Sequence, residues 1–223
     1  YGSVAIDLII TVFILLFSLN FAVYFLLLTR KWREALSSDE LRFFLLVVTG
    51  ATILIAIDIA PLYTSIWESL RYSVFQVASI ISTTGFATAD FVFWPHFSQT
   101  ILVLLMFCGA CAGSTGGGIK CSRVLILLRS IRREIHRVIH PRSVEVVKLD
   151  GKVVEEDTLR SISVFVGSYL FIILAATLII SLDDFPFSVS FSSALTCISN
   201  VGPGLELVGP TGNFSAFSHL SKI

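Results

Sequence analysis

The chain has 223 residues, 55% of them hydrophobic and 14% charged, with a formal net charge of zero and a mean hydropathy of +0.86. Soluble domains carry about 25% charged residues, so this composition points to lipid as the solvent, and the charge sum gives no footing for nucleic-acid binding. The cysteines are Cys108, Cys111, Cys121 and Cys197. Cys108 and Cys111 form a C-x-x-C without a second ligand pair, so buried membrane thiols are expected rather than a metal or redox centre.

No basic n-region precedes the first apolar run and no small-residue cleavage site follows it, so no signal peptide is expected. The chain reads as the C-terminal-half fragment of a longer protein. Residues 4–28, VAIDLIITVFILLFSLNFAVYFLLL, are long enough to cross a bilayer, which takes about 20 apolar residues. Asp7 and Asn20 interrupt this run and are expected to face protein rather than lipid. The second span is expected at 43–60, the third from Phe97 onward (FSQTILVLLMFCGA), and the fourth at 162–182.

Lysine and arginine orient these spans. Arg30, Lys31, Arg33 and Arg42 follow the first span, and a denser group runs from Lys120 to Arg160. Both regions are expected on the cytoplasmic side. Asp90, Asp183, Asp184 and Glu206 then lie outside, an acidic face where a cation would approach. Segments 61–96 and 183–219 are too polar to span and too apolar for ordinary loops. Each holds a short helix-length stretch, at 72–81 and 188–198, that runs into a glycine turn. Such re-entrant backbone is tolerated at depth only where protein or a watery cavity surrounds it. Placing Gly85 on Gly202 aligns ASIISTTGFA with LTCISNVGPG at an offset of 117 residues, which suggests a repeated, pseudo-symmetric unit. Between 143 and 157, valine-bearing runs flank Asp150-Gly151, a strong hairpin signal.

A cation leaving water needs replacement oxygens, and backbone carbonyls of converging turns can supply them. Glycine gives such a turn its dihedral freedom, and a helix ending just before it turns its partial negative charge toward the ion. STTGF (82–86) and SNVGPG (199–204), each after a short helix, have these parts. Other turns would have to come from elsewhere in the assembly.

STTGF, CGACAGSTGGGIK (108–120), HPR (140–142) and NVGPG (200–204) together resemble the TrkH family of potassium-translocating subunits, within the superfamily that includes KtrB. The resemblance covers essentially the whole chain. It implies an all-α integral membrane fold of four pseudo-repeated units, each membrane helix, pore helix with filter loop, and membrane helix, around a central pore. On that pattern, 1–30 is the last helix of the second unit and 31–42 a cytoplasmic loop. Residues 43–140 are the third unit with a pore loop at 61–96, 141–160 a cytoplasmic hairpin linker, and 161–223 the fourth unit without its final helix. The family's filter carbonyls fall on Thr83, Thr84, Asn200 and Val201, with Gly85 and Gly202 enabling the turns. The implied function is K+ uptake across the bacterial inner membrane by a multi-pass homodimer. A TrkA-like cytosolic ring would bind ATP and NAD(H), leaving none on this chain. A KtrB-like, sodium-dependent subunit is the alternative within the class.

Residues 113–120, GSTGGGIK, approach the phosphate-loop pattern G-x-x-x-x-G-K-[ST], but Ile119 occupies the lysine position and no strand precedes it. A membrane enzyme built on this loop is the rival from another class. In the family this segment is an intramembrane loop below the filter, so Gly113, Ser114, Thr115, Gly116, Gly117, Gly118 and Lys120 are expected to form a gate. Glycines disfavour helix, and Ser114 and Thr115 need a wet cavity. His136 and His140 lie four apart among arginines without the glutamate of a metalloprotease motif, so a solvated or headgroup-facing basic segment is expected. No nucleophile–base pair and no paired carboxylates lie at depth, so no enzymatic activity is expected.

Overall fold

The computed structural model describes residues 3–141 and 145–222. Nine α-helices carry the described fold: α1 (Val4–Phe17), α2 (Phe21–Leu28), α3 (Trp32–Ser37), α4 (Asp39–Ile59), α5 (Ile66–Ile81), α6 (His96–Phe107), α7 (Cys121–Ile139), α8 (Glu156–Ile180) and α9 (Phe187–Ser199). The hairpin strands are β1 (Lys148–Leu149) and β2 (Lys152–Val153). Arg142, Ser143 and Val144, at the end of the HPR motif and the start of the expected hairpin, lie outside the described residues.

Helices α4 and α8 are each long and apolar enough to cross a membrane. The expected single span at 4–28 is instead two helices, α1 and α2, bent by 92°. The cause is local. The Ser18 hydroxyl donates back to the Ile14 carbonyl (2.7 Å), and the Asn20 side chain caps α2 by accepting from the Ala22 amide (2.9 Å). Serine and asparagine offer the backbone these alternatives to continuing a helix. Asp7 and Asn20 do turn inward: Asp7 is buried, and the Asn20 amide reaches Glu40 (3.5 Å). Serine or proline marks the starts of α5, α6 and α9. Ser65 caps α5 by accepting from Trp67 (3.2 Å), while Pro95 and Pro186 immediately precede α6 and α9.

Polar residues are buried on two helices while large apolar ones stand exposed on others. Ser69, Ser73, Gln76 and Ser79 on α5, and Ser190, Ser192, Ser193, Thr196 and Ser199 on α9, are all buried. Meanwhile Phe13, Leu46, Ile57, Phe171 and Leu178 stand exposed on α1, α4 and α8. Apolar outer faces around polar inner helices suit a bilayer. The largest core packs Phe44, Ile55 and Ile59 of α4 with Ile80 of α5, Leu102 and Met106 of α6, Ile173 of α8 and Leu195 of α9. The Tyr169 hydroxyl on α8 lies 2.6 Å from the Ser199 hydroxyl at the end of α9. The turns that follow α5 and α9 meet, with Gly85 against the Val201 carbonyl.

The hairpin pairs Lys148 with Val153 and Leu149 with Lys152. Asp150 (φ 49°) and Gly151 (φ 75°) both have positive φ, as a two-residue type I′ turn requires.

Candidate functional site

Helices α5 and α9 end in the same way. Beyond α5, the Thr83 amide bonds the Ile80 carbonyl (3.0 Å) and the Thr84 amide bonds that of Ser79 (2.9 Å). Beyond α9, Asn200 bonds Cys197 (3.2 Å) and Val201 bonds Thr196 (2.9 Å). This is the Schellman closure, which needs one left-handed residue. Thr83 (φ 58°) and Asn200 (φ 57°) take that position, 117 residues apart. After each turn a hydroxyl ties the chain back to its helix: Ser79 to the Phe86 carbonyl, and Thr196 to that of Pro203 (3.1 Å). Among the described residues no hydrogen bond ends on the carbonyl oxygens of Thr83, Thr84, Asn200 or Val201.

The two turns touch. A β-carbon on Gly85 (φ 74°) would overlap the Val201 carbonyl oxygen and come within 3.0 Å of Pro203 Cδ. Gly202 differs, because nothing lies within 4 Å of its missing β-carbon and only its φ of 111° requires glycine.

The glycine loop runs from α6 to α7 on a hydrogen-bonded stem. Gly109 donates to the Ile119 carbonyl (2.6 Å) and Cys121 to that of Ala110 (3.1 Å). The body of the loop packs against both helix ends. A β-carbon on Gly116 would sit 3.0 Å from the Ser82 carbonyl oxygen, and one on Gly117 would overlap that of Ser199. Ser82 and Ser199 are the corresponding residues before the two turns. The Gly117 amide also donates to Thr83 Oγ1 (2.7 Å). Glycine is thus required at 116 and 117 for close approach, and at 113 and 118 by φ values of 67° and 64°.

Lys120 curls back so that Nζ donates to the Gly116 carbonyl, bracing the loop with its charge. A helix, not a strand, leads into the loop, unlike a phosphate loop. The thiol nearest to Cys108 belongs to Cys121, Sγ to Sγ 3.7 Å, rather than to its C-x-x-C neighbour. His136 pairs with Glu145 (3.0 Å) near the end of α7.

Glu40 falls in the segment 31–42 expected as a cytoplasmic loop, but the structure makes it the second residue of α4. It is buried, and its Oε1 accepts from the amides of Ala112 (2.6 Å) and Ser122 (3.0 Å), on either side of the glycine loop. A signal was present. Ser38-Asp39-Glu40 is a helix-start pattern, and Glu40 is in register with Phe44, Val48, Ala51 and Ile55 on the buried face of α4. The hydroxyl of Thr83 was likewise overlooked, since only its carbonyl was considered.

Helices long and apolar enough to span, around two helix-terminating turns and a glycine loop that packs against both, are the architecture of a helical membrane protein. A family model described as "Cation transport protein", TrkH, matches residues 1–223, and the chain belongs to that family. It is 32% identical over 232 residues to the Trk system potassium uptake protein TrkH of Salmonella typhimurium, with 100% of this chain and 46% of the relative covered. The Escherichia coli (strain K12) potassium uptake protein TrkG is 32% identical over 224 residues, again covering 100% of this chain and 46% of that protein. The crystal structure of the potassium transporter TrkH from Vibrio parahaemolyticus superposes with a TM-score of 0.85 at 30% identity, covering 97% of this chain and 47% of that one. The chain thus spans about half the length of the relatives it matches.

Proposed function

We propose that this chain supplies part of a potassium-uptake pathway crossing the bacterial inner membrane as a multi-pass protein. The carbonyls of Thr83, Thr84, Asn200 and Val201 would replace part of the ion's hydration shell, with further turns supplied by the rest of the assembly. Gly85 and Gly202 would permit the turns, and α5 and α9 would direct their negative ends at the ion. The 112–119 loop would close the path beneath them. A homodimer docked on a cytosolic nucleotide-binding ring, with the hairpin as one contact, completes the reading, and the relatives' potassium-uptake names support its choice of ion.

One observation carries the reading: a single loop, through Gly116 and Gly117, packs against the C-terminal ends of both turn-bearing helices. A plug needs that placement, whereas a helix kink made for packing does not. The test is a deletion of 113–118 in the protein reconstituted into liposomes, read by K+ flux. Raised flux is expected. A well-folded deletion variant conducting no more than wild type would sink the gate.

A further inference from the structure

Two consecutive side chains at the start of α4 hold two different things. Glu40 points inward, and one of its carboxylate oxygens accepts from Ala112 and Ser122, so a single atom ties the glycine loop's two flanks together. Its other oxygen takes the Asn20 amide at the α1–α2 break (3.5 Å). An ionised carboxylate only accepts, and Ser122 lies in the first turn of α7, where backbone N–H groups lack helical partners. The Glu40 carboxyl therefore holds the start of α7 and both flanks of the glycine loop together.

Asp39 faces the hairpin. Its Oδ2 accepts from Arg129 on α7 (2.8 Å) and from the Asp150 amide (3.0 Å), while its own amide donates to Asp150 Oδ1 (2.6 Å). Arg129 also reaches the Lys148 carbonyl. The hairpin turn is thus latched reciprocally to the first residue of α4. Adjacent residues of one helical turn cannot move independently.

We propose that Asp39-Glu40 couples the cytoplasmic hairpin to the glycine loop: Glu40 is a positioning residue that holds the loop closed, and release of the hairpin from Asp39 loosens that hold. The functional consequence rests on the reading of the loop as a gate, but the coupling itself can be tested without it. Energetic coupling is demonstrated by non-additivity, not by proximity.

The experiment measures amide hydrogen exchange across 109–122, together with K+ flux, for the protein in lipid. The variants are Glu40→Gln, Glu40→Ala, Asp39→Ala and the double variant Asp39→Ala/Glu40→Gln. Loss of a charged acceptor should speed loop exchange about tenfold or more in each single variant, with Gln milder than Ala. The double variant should be little faster than Glu40→Gln alone, because both act through one hold. Should Glu40→Ala fold poorly, the isosteric Gln variant decides. Wild-type loop exchange in Glu40→Gln, or an Asp39→Ala effect that simply adds to it, overturns the proposal. Faster exchange with unchanged flux supports the coupling and counts against the gate. Wild-type exchange in the Glu40 variants, alongside raised flux on deleting 113–118, keeps the gate and removes Glu40 from it.

Discussion

A threonine at φ 58° is unusual, because a β-branched side chain crowds the left-handed region. Such strain costs on the order of 1–3 kcal/mol and persists only where surroundings impose it. At Thr83 the hydroxyl accepts the Gly117 amide, so the strained residue is also where turn and loop meet. Thr83→Val should therefore keep the shape but leave that amide without its acceptor, raising basal K+ leak several-fold, while Thr83→Ser stays near wild type. A liposome flux assay separates them, and equal leak in both variants removes the hydroxyl from the closed state. The two turn glycines should respond unequally. Gly85→Ala meets the Val201 carbonyl as well as backbone strain, whereas Gly202→Ala meets strain alone, about 1–2 kcal/mol. Potassium-over-sodium preference should fall further in Gly85→Ala, measured by ion competition in uptake-deficient cells. The reverse order would contradict the packing of the turns.

Elements built on long periodic runs could be read from sequence, and those decided by side-chain hydrogen bonds could not. Helices α5 and α9 lie over the stretches expected at 72–81 and 188–198, since serine-rich apolar runs ending at a glycine turn leave few alternatives. The α1–α2 break went unseen because a hydropathy window averages Ser18 and Asn20 into their neighbours, while two short hydrogen bonds set the bend. Helix α4 starts before the expected 43 because Asp39 and Glu40, read as loop charges, find partners far along the chain. Among the candidate site residues, the glycines were legible from composition. The orientation of Lys120 was not, because nothing local dictates where a four-carbon stem folds.

At this scale the loop's stem and the hairpin each invite a test. Cys108 and Cys121 bracket the stem with sulfurs 3.7 Å apart, so mild oxidation should join them. If 111–118 moves as a lid on a fixed stem, the joined protein should still open, with flux within about twofold of the reduced form when the stem constraint is entropically small. Flux abolished by oxidation and restored by thiols would instead mean that the stem splays. The hairpin, with its type I′ turn, presents Lys148, Lys152 and an exposed Val153. Replacing 146–153 by a Gly/Ser linker should lower co-purification of the proposed cytosolic ring without affecting membrane insertion. Undiminished co-purification would make the hairpin a connector.

Across the whole molecule, buried serines and threonines line α5 and α9 while large apolar side chains stand exposed on α1, α4 and α8. Composition made the apolar exterior legible, but it could not say that the two inner helices end against one loop. That arrangement has a thermodynamic consequence. Gly116 and Gly117 rest on the chain just before both turns, and Thr83, itself part of one turn, meets the loop through its hydroxyl. An ion held at the turns and the resting position of the loop would therefore draw on the same residue, and linkage would make their influence mutual. Whatever the loop does to ion affinity, the ion must do to the loop in equal measure. Exchanging potassium for sodium at constant ionic strength should shift hydrogen exchange across 109–122, and Gly85→Ala should blunt the shift. Identical exchange in the two salts would mean that the turns and the loop, though in contact, are energetically independent.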